Sequence, residues 1–65
     1  MINNNLVSIV DTLLHHNIFS KIDLLAIAKA SDKELCIREL YKQKEKEMRI
    51  LPDVYMEVER LGLFD

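Results

Sequence analysis

The sequence predicts an all-α protein, a small four-helix domain with one long third helix that is expected to dimerise. Apolar residues recur at helical spacing along nearly the whole chain. The chain has one glycine, one proline and no Asn-Gly or Asp-Gly turn, which argues against β-hairpins. Its composition, 49% hydrophobic and 31% charged, is typical of a folded domain. We therefore expect residues 1–65 to form a single helical domain.

The expectation of a homodimer follows from the size of the chain. A domain of about 60 residues buries only about 60% of its unfolded surface, so its core alone stabilises it weakly. Cys36 is the only cysteine, which excludes an internal disulfide and favours a reducing compartment. No apolar stretch approaches the roughly 18 residues of a membrane span, and a positively charged signal region is lacking. A cytoplasmic protein is expected.

The first helix is predicted over about residues 5–16. Leu6, Val10 and Leu13 lie on one face of a helical wheel, with polar residues opposite. Asn17 suits the left-handed position after a helix, and Ile18 can fold back over the last turn. We therefore expect the helix to end in a left-handed turn at Asn17.

The second helix is predicted over residues 21–30. Ser20 is placed to cap its first turn, with Asp23 as the reciprocal partner three residues later. The helix is apolar almost all round, a pattern typical of a helix buried among its neighbours. We therefore predict that it is the central helix, and that Leu25→Ala costs about 2–5 kcal/mol of stability.

The third helix is predicted over residues 32–51, opening with a capping box of Ser31 and Glu34 and stopping before Pro52. Six polar residues at 42–47 interrupt its apolar stripe. Either the helix leaves the domain there and contacts a second copy beyond the gap, or Lys44 and Glu47 lay their aliphatic stems over the core. We favour the first interpretation.

The fourth helix is predicted over residues 53–61. Val54, Val58 and Leu61 recur at helical spacing and form its apolar stripe. Gly62 suits the left-handed position after the last turn, and Leu63 can make the accompanying hydrophobic contact.

Charge and motif content exclude several function classes. The net charge is −2, so the chain as a whole lacks the basic balance of a non-specific nucleic-acid binder. A single glycine cannot form a phosphate-binding loop. His15 and His16 point about 100° apart on a helix, which disfavours one shared metal, and Cys36 lies on an apolar face. We expect no catalytic site, no metal and no cofactor, and therefore no enzyme.

The remaining prediction is a regulatory or adaptor protein that acts through helix-mediated protein–protein contacts, as a homodimer. The alternative is a small helix-turn-helix-like DNA-binding regulator, in which Lys33, Arg38 and Lys42 contact DNA. A coherent basic face on the third helix would favour the alternative. The expected partner-binding residues are aromatic and aliphatic side chains near and beyond the polar gap: Tyr41, Met48, Leu51, Tyr55 and Met56.

Overall fold

The computed structural model describes residues 4–64, which form four α-helices and no strand. The all-α prediction is confirmed. In this described part, no helix has the length and apolar character that crossing a lipid bilayer requires. Helix α1 packs against α4, and α2 packs against α3. The helices are α1 (Asn4–His15), α2 (Lys21–Lys29), α3 (Lys33–Glu47) and α4 (Pro52–Arg60).

Two of the four helices end as the sequence predicted, in a left-handed turn. Asn17 has a φ of 60° after α1, and Gly62 has a φ of 95° after α4. The backbone N–H of Ile18 donates to the Leu13 carbonyl at 2.8 Å, and that of Leu63 donates to the Val58 carbonyl at 3.3 Å. These bonds define Schellman motifs, and they fold Ile18 and Leu63 back into the core, where both are buried.

Most of the core comes from α1, α3 and α4 and from the residues that follow α1 and α4, and α2 adds Ile27. Leu13, Tyr41, Val58 and Leu63 have no exposed surface. Removing part of a side chain that is fully buried leaves a cavity, and such substitutions destabilise the fold. The buried hydrophobic residues are Ile9, Leu13, Ile18, Phe19, Ile27, Ile37, Tyr41, Val54, Val58 and Leu63.

Helix α2 is not the central helix, which corrects the prediction for residues 21–30. Only Ile27 among its apolar residues is buried, whereas Ile22 and Leu25 are 77% and 61% exposed. A helix that is apolar all round carries no periodic signal that distinguishes its inner face from its outer face. The expected large cost of Leu25→Ala is therefore wrong for this structure, because the side chain leaves no cavity in the core.

Helix α3 starts and ends differently from the prediction of residues 32–51. Its N-cap is Asp32, whose carboxylate accepts a hydrogen bond from the Leu35 backbone N–H at 3.1 Å, so the box of Ser31 and Glu34 is wrong. The helix ends at Glu47, and Met48 is extended, with φ −145° and ψ 160°. Leu51 is also extended, with φ −67° and ψ 146°, because proline disfavours the helical conformation in the residue before it. The third helix is still the longest of the four.

The polar gap lies on the domain and does not project from it. The Lys44 ammonium reaches the Asp23 carboxylate at 3.3 Å, and both side chains are largely buried. For Lys44 this supports the second interpretation of the gap, whereas Glu47 is exposed. The predicted pairing of Ser20 with Asp23 is confirmed, because the Ser20 N–H and hydroxyl both donate to that carboxylate, at 2.8 and 3.1 Å. Lys44, within the polar gap of α3, therefore connects α3 to α2.

Candidate interaction surface

Four of the five predicted partner-binding residues lie at the surface of the last third of the chain. Met48 is in the extended segment before α4, and Leu51 is the N-cap of α4. Tyr55 and Met56 follow within the first turns of that helix, and Met56 is 66% exposed. We call these four residues, together with the exposed Phe64, the C-terminal apolar surface.

Tyr41 does not belong to this surface, which corrects its assignment as a partner-binding residue. Its side chain is fully buried, because the ring lies beneath Phe64 with the two centroids 5.4 Å apart. Its hydroxyl has no hydrogen-bond partner among residues 4–64. Burial, with smaller contributions from Glu45 and Tyr55, raises the pKa of the Tyr41 phenol to about 12. Tyr41 is therefore a core residue, and its ring supports Phe64.

Phe64 was not predicted, although it organises the aromatic part of the surface. Its ring stacks on Tyr55 with centroids 5.2 Å apart and the planes 23° from parallel. Such offset pairs contribute about 0.5–1.5 kcal/mol beyond area burial. The Arg38 Nε–H donates to the Leu63 carbonyl at 2.7 Å and so holds the segment that carries Phe64 against α3. No sequence pattern indicated this contact, which joins residues 25 positions apart.

The three residues of the DNA-binding alternative do not form one free basic face. The Lys33 ammonium donates to the carbonyls of Ala28 and Ala30 at 3.2 and 3.1 Å, where it caps the end of α2. Arg38 bonds to the Leu63 carbonyl and pairs with Glu34 at 3.7 Å. Lys42 is exposed, but acidic and basic residues alternate along the same helix.

The histidines lie along a groove between α1 and α4. The rings of His15 and His16 are perpendicular, with centroids 5.5 Å apart. The groove has a volume of about 850 Å³ and is open to solvent, with Asp11, Asp53 and Glu57 along it. Among the described residues, no three histidine, cysteine or carboxylate side chains are grouped to hold a metal ion.

The outer face of α2 was also missed. Ile22 and Leu25 lie one turn apart on it, with Lys21 and Lys29 exposed alongside. The one sequence signal that could have placed this face outward is Asp23, because a carboxylate within an apolar helix requires a partner when buried. That partner is Lys44 on α3, so the side of α2 that carries Asp23 faces inward.

Comparison with known proteins adds no relative to these observations. Neither the family models, the curated proteins nor the solved structures that were compared with this chain match it.

Proposed function

We propose that this protein is a small non-enzymatic regulatory or adaptor protein that acts by helix-mediated protein–protein contact, as a homodimer in the cytoplasm. The observation that carries the proposal is the C-terminal apolar surface, in which Met48, Leu51, Tyr55, Met56 and Phe64 are exposed within a stretch of 17 residues. Aromatic residues and methionine are enriched in protein interfaces relative to the rest of protein surfaces.

The way this surface is held supports the proposal. Tyr55 stacks on Phe64, and Phe64 rests on the buried ring of Tyr41. Aromatic side chains that are already ordered lose little conformational freedom on binding, so less of the interaction energy is spent in ordering them. An exposed but ordered aromatic pair is therefore suited to anchor a partner.

The DNA-binding alternative receives no comparable support. Lys33 and Arg38 are engaged with backbone carbonyls of their own chain. A phosphate contact by either side chain would compete with the bond that caps α2 or the bond that holds Leu63. Protein binding is therefore the proposed function, and nucleic-acid binding is one outcome that the test distinguishes.

The test is capture of partners from native lysate by the immobilised full chain, with and without nuclease. The test variant is Leu51→Ser/Tyr55→Ser, which removes two apolar residues from the surface. The matched control is Leu35→Ser, because Leu35 is also exposed but lies on α3. We expect a protein that is retained after nuclease treatment, lost in the test variant and kept by the control.

Two results would contradict the proposal. Capture that disappears on nuclease treatment would assign the chain to nucleic acid. Equal capture by wild type, test variant and control would show that the C-terminal apolar surface does not select the partner. Circular dichroism of each variant establishes that loss of capture is not loss of folding.

A further inference from the structure

The outer face of α2 combines an apolar centre with positive ends. Leu25 lies at the middle of this face, with Lys21 one turn before it, Lys29 one turn after it and Ile22 beside it. Neither lysine ammonium group has a hydrogen-bond or ion-pair partner within residues 4–64. The only acidic residue of α2, Asp23, is buried on the opposite side and bound to Ser20 and Lys44. The exposed charge of α2 is therefore entirely positive.

Burial divides the apolar residues of α2 between its two sides. Ile27 enters the core, whereas Ile22 and Leu25 are 77% and 61% exposed. A helix that is apolar on all sides is typically covered on all sides. The inner side of α2 is covered by α3, and the outer side is available to another molecule.

The outer face of α4 has the opposite arrangement. Met56, 66% exposed, lies at the middle of this face, opposite the buried Val54 and Val58. Asp53, at the edge that also lines the groove between α1 and α4, lies three residues before it, and Glu59 lies three residues after it; both are exposed. The outer face of α4 therefore carries negative charge around the apolar side chain of Met56.

The one nearby cation on α4 does not reverse this charge. Arg60 is bonded to Glu57 within the same helix. The pair is neutral as a whole, so the charges left on the face are those of Asp53 and Glu59. An incoming lysine would therefore meet carboxylates on both sides of Met56.

We propose that the outer face of α2 binds the outer face of α4 in a second copy of this chain. Leu25 then packs on Met56, and Lys21 and Lys29 approach the carboxylates of Asp53 and Glu59 of the second copy. The inference rests on the proposed homodimer and names the surfaces that form it. A two-fold dimer contains this contact twice, since each copy contributes one α2 and one α4.

Symmetric pairing of α2 with α2 is disfavoured by the same charges. In an antiparallel pair centred on Leu25, Lys21 of one copy would oppose Lys29 of the other. Like charges placed opposite each other at an interface destabilise it and select against that partner. The charge pattern therefore selects α4 as the complement of α2.

The test is a charge exchange measured by sedimentation equilibrium, from about 10 µM to about 500 µM because contacts between small surfaces are weak. Lys21→Glu/Lys29→Glu makes the α2 face acidic, and Asp53→Lys/Glu59→Lys makes the α4 face basic. Lys42→Glu/Lys46→Glu is the matched control, since it changes the same charge on exposed positions of α3. Circular dichroism establishes that each variant is folded.

We expect wild type and control to self-associate, and each α2 or α4 variant alone to associate at least about tenfold more weakly. An equimolar mixture of the α2 and α4 variants should regain association to within about threefold of wild type, since every contact between unlike variants is again complementary. Restoration in the mixture also excludes misfolding as the cause of the single-variant losses.

Three results of the charge-exchange experiment would overturn the inference. A wild-type chain that stays monomeric over the whole range has no such contact, although capture of a different protein would leave the adaptor function intact. Association that is unchanged in the α2 and α4 variants would place the dimer interface elsewhere. Folded variants that lose association but do not recover it on mixing would show that the two faces do not meet each other.

A lipid surface is the other chemistry that a basic, apolar helix face can bind. Vesicles of phosphatidylserine and phosphatidylcholine are therefore included as a sedimentation probe. Binding of monomeric wild type to these vesicles, lost in Lys21→Glu/Lys29→Glu, would assign the α2 face to membranes and overturn the inference.

Discussion

The two helix pairs of this molecule are stabilised in different ways. Helices α1 and α4 contribute Ile9, Leu13, Val54 and Val58 to the core, all buried. Burial of each such side chain contributes about 1.5–3 kcal/mol relative to exposure. Helix α2 contributes only Ile27 from its apolar residues. Polar contacts also attach it to α3, since Lys44 pairs with Asp23 and the Lys33 ammonium caps its last turn.

The comparison shows that an apolar residue in this chain is not necessarily a buried one. Helix α2 has more apolar residues than the core of the single chain uses, whereas every buried position of α4 is apolar. Ile22 and Leu25 therefore stabilise the monomer little, and they are free to contribute to an interface.

The largest effect is expected on the α1–α4 side. Leu13→Ala should reduce the free energy of unfolding by about 2–5 kcal/mol, because Leu13 has no exposed surface and its loss leaves a cavity. Urea denaturation followed by circular dichroism measures this loss. A cost below about 0.5 kcal/mol, the range of surface substitutions, would contradict the assignment of Leu13 to the core.

A smaller and pH-dependent effect is expected at the junction of α2 and α3. Burial raises the pKa of the Asp23 carboxyl, but the hydrogen bonds from Ser20 and the Lys44 ammonium outweigh it, and the pKa lies below its ordinary value of 3.8. The unfolded chain therefore binds the proton first as the pH falls. The stability that Asp23 contributes is fully present above pH 3.8 and is lost as the pH falls through the lower, folded-state pKa.

Asp23→Asn should accordingly cost about 1–2 kcal/mol at neutral pH. The difference from wild type should shrink as the solution is made more acidic than the folded-state pKa of Asp23. Urea denaturation across this pH range measures both quantities, with Asp11→Asn on the exposed side of α1 as the matched control. A cost that does not change with pH would mean that the carboxylate charge does not hold α2 to α3.

The smallest effect on stability at neutral pH is expected from Tyr41→Phe. The hydroxyl is buried without a partner among the described residues, so its removal should leave stability unchanged or raise it by up to about 1 kcal/mol. A loss of more than about 1 kcal/mol would show that the hydroxyl is hydrogen-bonded in the folded protein.

The same phenol predicts a specific alkaline titration. In a Tyr55→Phe background, ultraviolet absorbance should show that Tyr41 ionises well above its ordinary pKa of 10.0, because burial, the largest cause of the raised pKa, does not depend on Tyr55. Because the folded-state pKa is raised, the stability linked to this group is complete below pH 10.0 and is lost as the pH rises through about 12. Ionisation near the ordinary value would contradict the burial of the ring.

The parts of the fold that the sequence predicted are those determined by local chemistry. Asn17 and Gly62 end their helices because few residues tolerate a positive φ, and Ser20 with Asp23 begins α2 because the two side chains satisfy each other. The orientation of α2 was missed because its apolar residues lie on all sides of the helix, so that only Asp23, which requires a partner when buried, distinguished the inner face. The early end of α3 was missed because the apolar stripe resumes at Met48, although the chain there is already extended.

The exposed residues of the candidate surface could also be selected from local sequence patterns. Met48, Leu51, Tyr55 and Met56 were selected because they follow a polar gap or lie at or near a polar face, and the structure shows that they are exposed; their role in binding stays a prediction. The burial of Tyr41 depends on Phe64, which returns to α3 through a turn and the Arg38 contact. Contacts between residues so distant in the chain leave no periodic signal in one sequence.

The outer face of α2 lies outside the core of the single chain, which is the condition for its use in an interface, and Leu25→Lys tests this placement most directly. The measurement is the unfolding free energy of this variant by urea denaturation, at a concentration low enough to keep the protein monomeric. We predict a change within about 0.5 kcal/mol of wild type, as for other surface substitutions. A loss of about 2 kcal/mol or more, the size expected for a core leucine, would place Leu25 in the core and contradict the account.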